Sequence, residues 1–154
     1  MTDGIRDVRC LRTRLRTNDQ RLDRADRCKK FEDPALLADR LYPDMFMFAR
    51  QIRQTTDFAR NTPGRLAGVT LPAFAATDDT TLVAARDRAE KSMAFATSIT
   101  AISWTAGGTQ RTMKGRAHRL HFCLPNFYFH TTTADNIVRQ RGIEIGKRDF
   151  LGTC

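Results

Sequence analysis

The sequence predicts an all-α protein, an antiparallel four-helix bundle with one long crossover connector and an irregular C-terminal tail. Apolar residues recur at helical spacing through four long segments. A Pro-containing stretch from Val69 to Ala76 lacks that spacing and reads as an extended crossover. The 154 residues fit a single domain, 1–154, able to bury roughly 70% of its unfolded surface.

In residues 1–30, Ile5, Val8, Leu11, Leu15 and Leu22 make one narrow apolar stripe on an otherwise charged helix. Ten Arg or Lys stand there against five Asp, a large part of the chain's net charge of +9. Arg and Asp alternate around the stripe, as on a solvated face. Asp33-Pro34 reads as a helix start, an N-cap residue followed by Pro in the first turn. A short turn through Leu36, Leu37 and Leu41 follows. Tyr42-Pro43-Asp44 restarts the chain, because the residue before Pro avoids the α region. The next helix carries Met45, Phe46, Phe48, Ala49, Ile52, Thr56 and Ala59. Asn61-Thr62-Pro63-Gly64 is expected to end or kink it, with Leu66-Ala67-Gly68 as a last turn. Asp78 or Asp79 is expected to cap the third helix, which carries Leu82, Ala85, Ala89, Met93, Phe95 or Ala96, and Ile99. Residues 105–109 form a loop. Pro125 opens the fourth long helix and Gly142 closes it as a C′ glycine. The tail from Ile143 onward has too little periodicity for a helix.

No segment approaches the ~20 apolar residues that span a bilayer. The N-terminus has no apolar signal region, so a cytoplasmic location is expected. The four cysteines, Cys10, Cys28, Cys123 and Cys154, form no CxxC pair and are expected to be free thiols. There is no phosphate-cradling glycine loop, no GxSxG elbow and no HExxH. The basic stripe lacks interleaved aromatics, which argues against stacking on single-stranded nucleic acid.

Three stretches carry a resemblance: RLYPDMFMFARQI from Arg40 to Ile52, RLAGVTLPAF from Arg65 to Phe74, and LHFCLPNFYFHTTTADNIVRQRGIEIGKRDFLG from Leu120 to Gly152. Together they resemble the bacterial and fungal family called domain of unknown function nineteen-ninety-three. That family is similar to the DinB-like four-helix bundles. The likeness covers roughly 34–100 and 114–152. Two places depart from it. The loop from Ala101 to Met113 is shorter than the usual connection. The first helix, CLRTRLRTNDQRLDRADRC, is far less apolar than in family members. Arg-rich, Cys-punctuated text of this kind is what a shifted reading frame in GC-rich DNA yields.

The resemblance implies a place to look for chemistry. DinB-like enzymes hold a divalent metal with three histidines, one from the second helix and an HxxxH pair from the fourth. Ligands at i and i+4 share one helix face and reach one ion. His130 stands at the position of the second histidine of that pair, twelve residues before Gly142. Its partner at i−4 is Asn126. On the second helix, only Asp44 could coordinate. Asp44, Asn126 and His130 make a poor zinc site, so no cofactor is expected, with a divalent metal as the alternative. Against that stands the plainer reading of His130 as a core histidine with a satisfied hydrogen bond, and of Asp44 as a residue favouring a helix N-terminus.

Tyr42, Asp44, His121, Tyr128 and His130 are the pocket candidates. His118 reads as part of an exposed basic turn. Of the aromatics Phe122, Phe127, Tyr128 and Phe129, core packing is favoured over a ligand-stacking box. Lys147-Arg148-Asp149 is polar, and Phe150 is expected to anchor the tail. The leading functional expectation is a DinB-like bundle without the three-histidine site, forming a homodimer and using neither membrane nor nucleic acid. The alternatives are a metal-dependent thiol transferase-like enzyme with a degenerate site and a basic surface binder of anionic partners.

Overall fold

The computed structural model describes residues 32–99 and 115–151. The Arg-rich segment 1–30, the loop at 105–109, and Cys10, Cys28 and Cys154 lie outside them. Among the described residues all regular structure is helical. No helix among them is long and apolar enough to cross a membrane.

Helix α1 spans Asp33–Ala38 and begins with Pro34 in its first turn. Its N-cap is Glu32, whose backbone carbonyl accepts from Leu36 N–H at 3.3 Å. Asp33 does not cap its own helix. Its carboxylate reaches across to Leu82 N–H at 3.0 Å, at the start of the third helix.

A turn closed by Met45 N–H on the Tyr42 carbonyl separates α1 from α2, which spans Phe48–Ala67. The helix therefore begins later than Met45 suggests. It also continues past Asn61–Gly64 and does not end there, although the proline is expected to end or kink it. Pro63 and Gly64 are buried, so tertiary packing holds the helix together there. A Cβ on Gly64 would lie 2.3 Å from the Leu71 side chain and 3.0 Å from Phe95, so the glycine lets the crossover and the next helix come close. The end comes at Gly68, left-handed at φ 67°, with Val69 N–H closing on the Gly64 carbonyl.

Helix α3 spans Leu82–Ser98. Its cap is Thr81, whose hydroxyl accepts from Ala84 N–H at 3.1 Å. Neither expected aspartate caps it: Asp78 pairs with Arg53 and Asp79 with Arg88.

The last long helical run comprises α4 (Gly115–His118), a widened turn (Arg119–Cys123) and α5 (Leu124–Gln140). Pro125 thus lies inside a continuing helix instead of opening one. Proline lacks the N–H that would bond the carbonyl four residues back, and its ring crowds that carbonyl. The widened turn absorbs the misfit, with Leu124 N–H reaching five residues back to the Arg119 carbonyl. Gly142 closes the helix in the left-handed region at φ 78°, as expected. Residues 143–146 are irregular. A short helix, α6 (Lys147–Leu151), follows, started by Gly146 N–H on the Asp149 carboxylate at 2.8 Å.

Two apolar clusters fix the topology. Phe48, Ala49 and Ile52 of α2 gather with Ala134, Ile137 and Val138 of α5, and with Leu36, Leu37, Leu82 and Ala85. Further along, Phe58 and Ala59 meet Leu124 and Phe127 of α5 and Met93 of α3. Helix α5 therefore runs antiparallel to α2. The crossover carries the chain back so that α3 lies beside α2 in the same direction. Ile143 and Ile145 seal the first cluster, and both are more deeply buried than Phe150, the expected anchor. Arg139 donates to the Ile145 carbonyl, and Arg141 pairs with Asp39, tying the tail and α1 to the same end.

Candidate functional site

His130 projects from α5 into the bundle and is 7% exposed. Helix α2 brings Gln51, 1% exposed, against it. His130 Nδ1 and Gln51 Oε1 are 2.7 Å apart. Gln51 Nε2 donates to the Phe46 carbonyl at 3.2 Å. A carbonyl can only accept, so this second bond turns the amide nitrogen toward Phe46 and the amide oxygen toward the ring. Nδ1 is then the protonated nitrogen of a neutral imidazole, and Nε2 keeps its lone pair.

Aromatic rings enclose the histidine. Phe46 and Phe58 lie nearly parallel to it, with centroids 6.1 and 6.0 Å away, and Phe129 meets it edge-on at 5.4 Å. This apolar surround disfavours the imidazolium and pushes its pKa down to about 4. The unfolded chain, with an ordinary histidine value of 6.5, binds more protons than the folded chain between those two pH values. Stability should therefore fall as pH drops through that window, by a total on the order of 3 kcal/mol. Unfolding free energies measured from pH 7 to pH 4 check this. The slope should flatten in His130→Asn.

The other expected ligands are occupied or displaced. Asn126 is half-buried, and its Nδ2 donates to the Phe122 carbonyl at 2.7 Å, capping a backbone acceptor of the widened turn. Asp44 is exposed in the turn before α2, and it is Gln51 that bonds His130. No group of three His, Cys, Asp or Glu among the described residues is arranged to hold a metal ion. The residues at the ligand positions therefore do not fit a three-histidine metal site.

Tyr42 is exposed, as is His121 on the widened turn. Tyr128 is half-buried with its ring edge on Phe127 at 5.4 Å, next to the second cluster. His118 is half-buried instead of exposed; it stacks on Phe122 at 5.3 Å, and burial together with Arg65 lowers its pKa. Cys123 is a buried free thiol whose pKa burial raises. Thr131 and Thr133 turn their hydroxyls onto the Phe127 and Phe129 carbonyls, satisfying themselves within α5.

Of the pocket candidates, only His130 is at the centre of a connected set. The residues that complete it, Gln51, Phe46 and Phe58, were not among the candidates. The available signal was a glutamine at buried spacing on α2, between Phe48 and Ile52.

The helical architecture is that of a DinB-like bundle. The crystal structure of a DinB family member protein from Shewanella denitrificans is similar, with a TM-score of 0.87 and 29% identity, covering 96% of this chain and 90% of that one. More specifically, the chain belongs to the family described as Domain of unknown function (DUF1993), whose model matches residues 7–151. No curated protein matches it.

Proposed function

We propose that this protein is a DinB-like bundle that works without a bound metal, as a binding or scaffolding protein and not as a metal-dependent transferase. The observation that supports this most directly is the set of side chains around His130, where Gln51 holds Nδ1 and neither Asn126 nor Asp44 is placed as a ligand. A ligand histidine commonly uses its second nitrogen to hold an orienting partner, so the pair alone would be compatible with a metal on Nε2. What argues against it is the donor set. Asn126 serves the helix backbone and Asp44 sits in an exposed turn, leaving one imidazole with no companions of the right chemistry. The hydrogen-bonded pair and its aromatic surround instead make a rigid polar plug in the bundle interior.

Elemental analysis of protein purified without chelator tests the reading. The expected result is substoichiometric metal, equal in wild type and His130→Ala. A stoichiometric ion in the wild type that disappears in His130→Ala would overturn it and favour the enzyme alternative.

A further inference from the structure

A second polar cluster lies away from His130, where the crossover covers the seam between α2 and α3. Arg60 of α2 and Arg88 of α3 both lie over the ring of Phe74, with guanidinium carbons 4.3 and 5.8 Å from its centroid. Each is held along one edge. Arg88 donates from Nε and Nη2 to the two carboxylate oxygens of Asp79 at 2.7 and 3.3 Å, and from Nη2 to the Ala75 and Thr77 carbonyls. Arg60 donates from Nε to Asn61 and from Nη2 to Asp57, both at 2.9 Å.

The other edges are different. Nη1 of Arg60 and Nη1 of Arg88 are buried and have no acceptor. The two residues are only 9% and 6% exposed. Helix α2 therefore brings Arg60, and α3 brings Arg88, to the Phe74 ring, each with one buried guanidinium nitrogen that has no acceptor. A buried charged donor without an acceptor is costly, so such groups are normally satisfied.

We propose that the free edges of Arg60 and Arg88 form a binding site for a small tetrahedral oxyanion of the phosphate type. Such an anion offers several acceptor oxygens and matches the planar guanidinium fork. Arg53–Asp78, Arg60–Asp57 and Arg88–Asp79 balance one another in charge. The attraction therefore comes from directed N–H donors and not from a net positive field. That favours an ion small enough to touch both arginines over a polyanion, which would need an extended basic surface. The chemistry is shared by free inorganic phosphate and by the phosphate group of a small phosphomonoester.

Calorimetric titration of the full chain with inorganic phosphate, at ionic strength matched with chloride, tests this. A parallel titration with phenyl phosphate separates the two sources. Wild type should bind phosphate saturably, with a rise in Tm. Arg60→Met should weaken binding about tenfold or more, the scale of one charge-assisted hydrogen bond. Arg65→Met, an exposed arginine on the same helix, should bind like wild type. If Arg60→Met fails to fold, Arg60→Lys, which keeps the charge and loses the fork, takes its place. Binding by phenyl phosphate but not by free phosphate would assign the site to an esterified ligand. Absence of saturable binding of either in the wild type overturns the proposal. So does undiminished binding in the Arg60 variant.

Discussion

Phe127→Ala is expected to cost about 3–5 kcal/mol of unfolding free energy, the range for truncating a buried aromatic side chain. Phe127 is 1% exposed and sits where α2, α3 and α5 converge, with Phe58, Ala59, Met93, Leu124 and Tyr128 around it. Its ring fills the second of the two clusters, so removing it leaves a void that several elements would have to shift to close. Urea denaturation checks this. The midpoint should fall while the slope stays constant, as for a loss of stability without a change in surface exposed. Phe129→Ala supplies the contrast. That ring is 56% exposed and its loss should cost much less. A loss below about 1 kcal/mol for Phe127→Ala would show that the ring is not structural.

Arg88→Ala should destabilise the fold by a similar amount, about 3–5 kcal/mol, the cost of removing one partner of a buried ion pair. The side chain joins three parts of the molecule. It leaves from α3, grips the Asp79 carboxylate with two nitrogens, and holds the Ala75 and Thr77 carbonyls of the crossover. Without it, Asp79 stays mostly buried with no counter-charge and two carbonyls lose their donor. A double-mutant cycle with Asp79→Ala separates these effects. The double variant should lose much less than the sum of the single losses, because each single variant leaves an unpaired group behind. Additive losses would mean that the pair contributes nothing as a pair.

The broad architecture was legible because helical periodicity is a local property. The apolar stripes of α2, α3 and α5, the extended crossover and the glycine at position 142 all declare themselves within a few residues. At Pro63 the helix does not end, and at Pro125 the helical run begins before the proline, for a shared reason. Proline's penalty is also local, but here it is outweighed by packing around residues 63–64 and absorbed by a widened turn at 119–123. The cap of α3 fell to Thr81 because Asp78 and Asp79 are drawn to Arg53 and Arg88, one of which lies far back in the sequence.

The candidate site was only half legible. His130 could be singled out through the DinB-like resemblance, from its position relative to Gly142. Gln51 lies 79 residues away, and no spacing rule connects the two. Asn126 was read as a stand-in ligand. Its amide instead donates to the Phe122 carbonyl of the widened turn, a contact that no spacing in the sequence announces.

Nitrogen-detected NMR of the His130 imidazole, followed from pH 7 to pH 4 with and without added zinc, tests most directly whether this histidine is a core hydrogen-bonding residue. The expected result is a neutral ring protonated on Nδ1, titrating near 4 and indifferent to the metal. A ring protonated on Nε2, a titration near the ordinary histidine value, or a stoichiometric shift on adding zinc would contradict it.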